Sequence, residues 1–389
     1  MFLDPLFKLM ADKQASDLFF TAGAPIQIKI NGIVMPVNAQ VLDPAGVKKI
    51  AYEVMSEEQV TEYEKTLEMN FAVGRAALGS YRVNVFRQRG AVAMVIRFIK
   101  PDIPSIEELK LPPVVKDLVM EKLGMILIVG STGSGKSSTM AAMIDYRNST
   151  RTGHILTIED PMEFNYKHKK SIVNQREVGM DTRSYTNALV SAMREAPDLL
   201  MIGEVRDQST LQSALLFAQT GHLCLTTLHA NNSYHALNRI INFFPREARE
   251  ALLADLAISL KCIVSQRLIR DTKDGRIPAV EIMLNTAHIS ELIKNGEMGE
   301  IKDAMEQSLA PGSQTFEQAL YNLYSSGQIT LENALANADS PTNLHWLINN
   351  TGKAADATPA SKEEPSSNTR TTTNAGDDLS SIKLNLDMV

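Results

Sequence analysis

The sequence predicts an α/β protein with two domains, a small N-terminal domain of sheet and helix followed by a larger domain built on a parallel sheet. In residues 1–99, apolar and polar side chains alternate in short segments, which is the period of strands with one buried face. Further along, short aliphatic runs alternate with helical stretches, which is typical of a parallel sheet wrapped by helices. The 389 residues are enough for two domains or more.

Two hairpins and a helical stretch are predicted in the N-terminal domain. Apolar residues alternate with polar ones over Ile26–Ile30, and Asn31-Gly32 then supplies the left-handed pair that a tight hairpin turn favours. A helical stretch follows over about Gly46–Leu67. The alternation returns over Tyr81–Phe98 and predicts a second hairpin.

Composition marks the boundaries between the predicted parts. Residues 100–113 contain four prolines, and because proline restricts both itself and its predecessor, this segment is predicted to be an extended linker. The larger domain is therefore placed at 114–348. Residues 349–389 are polar and charged with few apolar side chains, so we expect a disordered tail that buries too little to offset its ordering entropy.

The larger domain contains the strongest motif of the chain. It fits G-x-x-x-x-G-K-[ST] and consists of Gly130, Ser131, Thr132, Gly133, Ser134, Gly135, Lys136 and Ser137, followed by Ser138. Such a loop lies between a strand and a helix, and its exposed amides cradle phosphates. Lys136 is expected to reach the outer phosphates and Ser137 to ligate Mg²⁺, so the motif predicts a site for ATP and Mg²⁺.

Polar residues follow the next predicted strands of this domain. The predicted strands are Met125–Val129, His154–Ile158, Leu199–Ile202, Leu223–Thr227 and Ala279–Leu284. In doubly wound sheets, ligands bind at the carboxyl ends of the strands. Glu163 is therefore predicted to be a general base, and Glu204 to be the acidic group that positions the metal or its waters. His229 is predicted to sense the terminal phosphate.

Charge and composition exclude several other classes of protein. A net charge of −6 and a pI of about 5.7 argue against a protein that mainly binds duplex nucleic acid. The two cysteines, Cys224 and Cys262, lie in apolar stretches and are expected to be buried thiols, too few for a four-cysteine zinc site. No apolar run approaches the roughly 20 residues of a membrane span, and the N-terminus lacks a signal core, so a cytoplasmic location is expected.

Several segments together resemble the secretion and type IV pilus ATPases. The segments GSTGSGKSS, TIEDPMEF, GEVRD and TGHLCLTTLHA resemble the Walker A motif, Asp box, atypical Walker B motif and His box of that family. SDLFFTAGAPIQIKINGIVMPV and SYRVNVF extend the resemblance to its PAS-like first domain, over roughly residues 3–345. The resemblance implies a PAS-like α+β domain followed by a RecA-like P-loop ATPase domain. It also implies a homo-hexameric ring in which Arg82 and Arg97 of the first domain complete the active site.

Within that family, the chain is most similar to the retraction branch, the PilT/PilU type. It begins almost at the PAS-like domain and has two cysteines, whereas the assembly ATPases usually have an extra N-terminal domain and often a four-cysteine insertion. Ala287–Lys294 departs from the AIRNLIRE helix of the principal retraction ATPases, and a polar tail follows. Both departures resemble the accessory, PilU-like members. The implied partners are a principal retraction ATPase and the inner-membrane pilus platform protein, at the inner face of the cytoplasmic membrane.

Three alternatives to an accessory retraction motor remain open. The chain could be a nucleotide-binding regulatory ring subunit with little hydrolysis of its own, or a pilus assembly or type II secretion ATPase. A nucleic-acid motor of RecA-like fold is the third. The presence of Glu163, Glu204 and His229 favours hydrolysis, and the acidic charge disfavours the nucleic-acid motor.

Overall fold

The computed structural model of the protein describes residues 2–30, 32–75, 79–99, 102–273 and 275–351. The chain divides into two compact units, Met1–Leu347 and Ile348–Val389. The predicted disordered tail therefore lies outside the described residues from residue 352 onward.

Within the described residues, six strands and three helices form the N-terminal part of the first unit. In chain order they are α1 (Asp4–Lys13), β1 (Asp17–Phe20), β2 (Pro25–Ile30), β3 (Ile33–Val41), α2 (Pro44–Val54), α3 (Glu57–Thr66), β4 (Glu68–Arg75), β5 (Gly79–Gln88) and β6 (Ala91–Ile99). The strands form one antiparallel sheet in the order β3-β2-β1-β6-β5-β4. The helices pack on one face of it, where Phe7 stacks on Tyr81 with ring centroids 4.1 Å apart.

Both predicted hairpins are confirmed, and the predicted helical stretch is divided. β2 pairs with β3 around Gly32, whose φ is +84°, and β5 pairs with β6. The stretch Gly46–Leu67 lies in two helices, because Ser56 caps α3. Its hydroxyl accepts from the Gln59 amide while the Gln59 side chain accepts from the Ser56 amide.

The proline-rich segment between the sheets is not extended throughout. Ser105 and Glu108 hydrogen-bond each other reciprocally and form a turn. Ile106, within this turn, and Leu111, after it, are buried in the core of the larger part. These two apolar side chains fix the segment on the second sheet, so it is a packed connection among the residues from 102 onward.

The larger part alternates helices with the strands of a second sheet. In chain order it contains α4 (Val114–Val119), β7 (Gly124–Val129), α5 (Lys136–Thr150), β8 (Gly153–Glu159), β9 (Ser171–Glu177), α6 (Tyr185–Ala192), β10 (Leu199–Ile202), α7 (Gln208–Gln219), β11 (Leu223–Leu228), α8 (Ser233–Asn242), α9 (Arg249–Ser259), β12 (Leu260–Arg270), β13 (Arg276–Leu284), α10 (Ala287–Asn295), α11 (Ile301–Glu306), α12 (Phe316–Ser325), α13 (Leu331–Ala336) and α14 (Pro341–Thr351). Two 3₁₀ turns lie at Arg246–Ala248 and Met298–Glu300.

The second sheet has the strand order β13-β12-β7-β11-β10-β8-β9 and is parallel except at β13. The prediction that Ala279–Leu284 joins a parallel sheet was therefore wrong, because too few residues separate Arg270 from Arg276 for the crossover that a parallel pair of strands needs. Sequence reading also missed β9 and β12, whose runs are interrupted by polar side chains.

Helices cover both faces of this sheet. Along β7, Met125 and Leu127 enter one buried cluster, whereas Ile126 and Ile128 enter the cluster on the other face. Burial on both faces explains why these strands read as continuous aliphatic runs. Cys224 and Cys262 are free and buried, as predicted. Among the described residues, no helix is long and apolar enough to span a membrane.

Candidate active site

The carboxyl ends of four parallel strands meet at one edge of the second sheet. Ile202 of β10 is in register with Ile158 of β8 and Thr226 of β11, while Leu228 of β11 is in register with Val129 of β7. The polar residues that follow these strands therefore converge. They surround a cavity of about 610 Å³, within the range of small-ligand sites.

The cavity is lined by most of the residues that the sequence singled out. From the phosphate-binding motif they are Thr132, Gly133, Gly135, Lys136, Ser137 and Ser138. From the strand ends they include Glu163, Glu204 and His229. Further lining residues to which the sequence assigned no role include Tyr185, Thr227, Leu268 and Arg276. Leu268 and Arg276 escaped notice because the β12–β13 hairpin that carries them was not predicted.

The loop between β7 and α5 is shaped as an anion cradle. A Cβ at Gly130 would lie 2.3 Å from Ser134 Oγ, and Gly135 has a φ of +93°, which disfavours other residues. Ser134 Oγ is buried with no hydrogen-bond partner among the described residues. This tightly wound backbone with an unsatisfied hydroxyl fits the phosphates of a nucleotide.

Lys136 closes the loop on itself. Its Nζ donates to the carbonyl oxygens of Gly130 and Ser131, each at 2.9 Å. Burial lowers the pKa of Lys136, although the charges of Glu204 and Glu163 oppose the change. The ammonium thus lies in the cavity wall, held only by neutral acceptors that a phosphate can replace.

Glu163 lies against the start of α5. Ser137 Oγ donates to Glu163 Oε1 at 2.8 Å. The following loop is fixed by Gln175, whose side chain donates to the Phe164 carbonyl and accepts from the Tyr166 amide. The structure therefore brings together the predicted metal ligand and the predicted general base, which are far apart in the sequence.

Glu204 and His229 form a second contact pair at this edge. His229 Nε2 lies 3.3 Å from Glu204 Oε1, and Arg206 Nε donates to Glu204 Oε2 at 2.9 Å. Burial lowers the pKa of His229, with Lys136 adding to the effect and Glu204 opposing it. The imidazole therefore lies beside the Glu204 carboxylate at the edge of the cavity. Arg206 also reaches Asp160 at 3.4 Å.

Glu159 is a buried carboxyl in the cavity wall that sequence reading left without a role. It is 7% exposed and accepts hydrogen bonds from Thr157 Oγ1 at 2.8 Å and Gln175 Nε2 at 3.3 Å. Burial raises the pKa of Glu159 to about 7, and the neighbouring charge of Glu163 adds to the effect. Its position at the end of β8 was visible in the sequence, but its burial was not.

Arg82 and Arg97 are absent from the described residues that line the cavity. They are directly opposite each other on β5 and β6. Arg82 Nη2 lies 3.2 Å from Glu177 Oε1, and Arg97 Nε donates to Asp17 Oδ1 at 2.9 Å. The Arg97 side chain is 68% exposed. The structure therefore does not bring the two predicted arginines to the nucleotide cavity.

The predicted Mg²⁺ ligands, Ser137 and Glu204, both line the cavity. No group of three or more His, Cys, Asp or Glu side chains suited to a metal ion occurs within the described residues. Mg²⁺ needs no such group, because it keeps several waters and is usually held by one or two protein oxygens together with substrate phosphates. The residues present therefore fit Mg²⁺ bound with a nucleotide.

Comparison with known proteins places the chain in a family. The model of the family described as "Type II/IV secretion system protein" matches residues 1–336. The chain belongs to this family. The chain is 48% identical to the type IV pilus ATPase PilU of Pseudomonas aeruginosa, covering 90% of this chain and 91% of the relative. It is 38% identical to the PilT protein of the same organism, described as a type IV pilus retraction ATPase, over 88% of this chain and 100% of the relative.

A solved structure supports the same membership. The crystal structure of the pilus retraction motor PilT with bound ADP matches the present chain with a TM-score of 0.82 and 41% sequence identity. The match covers 88% of this chain and 98% of that one. The mixed α/β fold with two sheets is therefore that of the PilT structure.

Proposed function

We propose that this protein is an ATPase motor that couples ATP hydrolysis to type IV pilus retraction and twitching motility. The observation that carries the proposal is the near full-length similarity to PilU, together with a cavity whose lining includes Lys136 and Ser137 of the phosphate-binding motif as well as Glu163, Glu204 and His229. The PilT structure holds ADP, which supports a nucleotide in the corresponding cavity.

The geometry supports a specific division of labour in hydrolysis. Lys136 and the loop amides bind the phosphates, and Ser137 and Glu204 would hold Mg²⁺, which neutralises phosphate charge when bound. Glu163 accepts the proton of the attacking water while the water oxygen bonds to the γ-phosphorus and the bond to ADP breaks. His229, whose Nε2 lies 3.3 Å from Glu204 Oε1, keeps that carboxylate oriented.

We further propose that the protein works as a homo-hexamer with PAS-like and RecA-like domains at 1–99 and 114–348. The support is the ion-paired position of Arg82 and Arg97 outside the cavity. If these arginines serve the nucleotide, the N-terminal sheet of the same or a neighbouring subunit must approach it, and the segment 100–113 is the proposed hinge.

An accessory role beside a principal retraction ATPase is the proposed place of this motor. The helix at Ala287–Asn295 supports it, because this helix buries Ile289 and Ile293 while His288 and Glu291 face outward. The exposed residues of this helix, among them His288, Glu291 and Lys294, include no arginine, whereas the AIRNLIRE helix of the principal ATPases has two. The motor is proposed to act on the inner-membrane platform protein, at the inner face of the cytoplasmic membrane and without nucleic acid.

The test compares labelled pili in living cells of the wild type and of Glu204→Ala and Glu250→Ala strains. Glu250 is exposed at the start of α9, and its substitution serves as the control. The purified Glu204→Ala protein should bind ATP but release phosphate slowly, and its cells should keep their pili but retract them weakly or only under low load. Loss of surface pili would instead indicate an assembly ATPase. Unchanged retraction with unchanged hydrolysis would refute the assignment of the site.

A further inference from the structure

Glu177, at the end of β9, contacts the N-terminal sheet through one carboxylate oxygen and the loop before Glu163 through the other. Oε1 lies 3.2 Å from Nη2 of Arg82 on β5, and Oε2 accepts the backbone N–H of Met162 at 3.1 Å. Its side chain is only 6% exposed. One buried carboxylate therefore pairs with an arginine of the N-terminal sheet and with the residue before Glu163.

Arg82 is incompletely satisfied in this position. Its Nη1 is buried and has no hydrogen-bond partner within the described part of the chain. A guanidinium offers five N–H donors and satisfies them best with planar, bidentate acceptors such as carboxylate and phosphate. Glu177 holds Arg82 through a single oxygen, because its other oxygen is occupied by Met162. An ion pair through one oxygen is weaker than a bidentate pair, so Arg82 can exchange Glu177 for another acceptor.

We propose that Glu177 is a positioning residue that stores Arg82 beside the Glu163 loop and competes with the phosphates of ATP for it. The inference rests on the proposed function, because it assumes that Arg82 serves the nucleotide. With the cavity empty, Arg82 stays on Glu177. When ATP binds and the sheets approach, the guanidinium moves to the phosphates, and Glu177 keeps its contact with the Met162 amide. After hydrolysis the same carboxylate recovers the arginine.

This competition has a thermodynamic consequence for nucleotide binding. Moving Arg82 to a phosphate leaves the Glu177 carboxylate buried without its counter-charge, which is unfavourable. The wild-type protein therefore binds ATP more weakly than it would without the charge at Glu177. Glu177→Gln removes the negative charge and retains an oxygen that accepts from Met162, so it should strengthen nucleotide binding.

The test measures the dissociation constant of a non-hydrolysable ATP analogue with Mg²⁺ for the full-length chain. Glu177→Gln should lower this constant about fivefold relative to the wild type, which lies within the coupling measured between contacting residues. In an Arg82→Ala background, the same change should have no effect. Return of Arg82 should also slow in Glu177→Gln, so kcat and KM should both fall.

The matched control is Glu195→Gln. Arg176 precedes Glu177 on β9, and its Nη1 lies 2.8 Å from Glu195 Oε1. This substitution removes a comparable ion pair of the same strand that does not involve the N-terminal sheet. The dissociation constant should stay at the wild-type value.

The outcomes separate this inference from the proposed function. If the wild type hydrolyses ATP but Glu177→Gln binds the analogue no more tightly, or tightens equally without Arg82, Glu177 is only structural and the inference is overturned. If the wild type shows no hydrolysis, the proposed function fails. The dissociation constants of the wild type and of Glu177→Gln still test whether Glu177 and the nucleotide compete for Arg82. Should Glu177→Gln unfold, Glu177→Asp withdraws the charge by one methylene and should shift binding in the same direction.

Discussion

Ser137 lies against Glu163, and Glu204 against His229, at the carboxyl edge of the seven-stranded sheet, whereas Arg82 of the six-stranded sheet pairs with a carboxylate outside the cavity. The first region is assembled by strand register alone, since parallel strands bring their carboxyl ends to one edge. The second lies on a separate antiparallel sheet, so its groups depend on how that sheet is placed. If the proposed function holds, the first region is a preformed half of the site, and the arginines have to be delivered to it.

The largest expected effect tests whether the arginines are delivered at all. Arg82→Ala and Arg97→Ala should each lower turnover, by up to about a thousandfold if the arginine stabilises the transferring phosphoryl group. Binding of nucleotide and folding should persist, because the cavity wall lies in the other sheet. Phosphate release under saturating ATP and Mg²⁺ measures the effect.

Arg87→Ala is the control for both arginine variants. Arg87 is exposed on the same strand as Arg82, five residues along, and faces the other side of the sheet. Its turnover should equal that of the wild type. Near-normal turnover of Arg82→Ala and Arg97→Ala would show that these arginines of the N-terminal sheet do not contribute to catalysis.

Local sequence patterns predict some residues of the candidate site but not Arg82 and Arg97. The phosphate loop could be predicted because its chemistry is local and its glycines and lysine are fixed in spacing. Glu163, Glu204 and His229 could be predicted because each comes shortly after a predicted strand of the parallel sheet. Arg82 and Arg97 came only from the resemblance, because nothing local distinguishes them from surface strand residues.

The parts of the fold that were missed have physical reasons. The strand Leu260–Arg270 contains Gln266 and Arg267, which interrupt its apolar run, and Ser171–Glu177 is an edge strand with alternating exposure. Neither shows the continuous aliphatic pattern of a strand buried on both faces. The role of Glu177 depends on contacts from two distant segments, so no sequence signal pointed to it.

The buried carboxyl of Glu159, in the cavity wall, makes the free energy of unfolding depend on pH. Because burial raises the pKa of Glu159 from 4.5 to about 7, the folded chain keeps this proton between those values while the unfolded chain has lost it. The free energy of unfolding therefore falls as the pH rises through this window, and below it the contribution is fully retained. Across this pH window, the free energy of unfolding falls by about 3 kcal/mol.

Glu159→Gln should remove this dependence. The difference in unfolding free energy between the variant and the wild type should move by about 3 kcal/mol in favour of the variant between about pH 4 and about pH 8. Urea unfolding across that range measures it. Glu62→Gln, at an exposed position of α3, should show no comparable change. A parallel pH profile for Glu159→Gln and wild type would mean that the carboxyl is hydrated rather than buried.

A smaller effect is expected when the general base alone is neutralised. Glu163→Gln keeps an oxygen that can accept from Ser137, so folding and nucleotide binding should persist while turnover falls roughly a hundredfold. Single-turnover phosphate release with bound ATP isolates this step. Glu291→Gln, on the exposed face of α10, should leave it unchanged. A loss of nucleotide binding in Glu163→Gln would assign the carboxylate to metal or nucleotide binding instead.

The smallest effect tests the contact between the two regions themselves. Asn165 Nδ2 donates to Ser80 Oγ at 2.6 Å, which joins the loop after Glu163 to the start of β5. Ser80→Ala removes this acceptor and should lower the free energy of unfolding by about 1 kcal/mol, the net value of a typical hydrogen bond. Ser209→Ala, at an exposed position of α7, should stay within about 0.5 kcal/mol of the wild type. Because Ser80 lies next but one to Arg82 on β5, equal stability of the two variants would mean that this hydrogen bond does not hold the N-terminal sheet at the loop, and the resting position of Arg82 on Glu177 would lose that support.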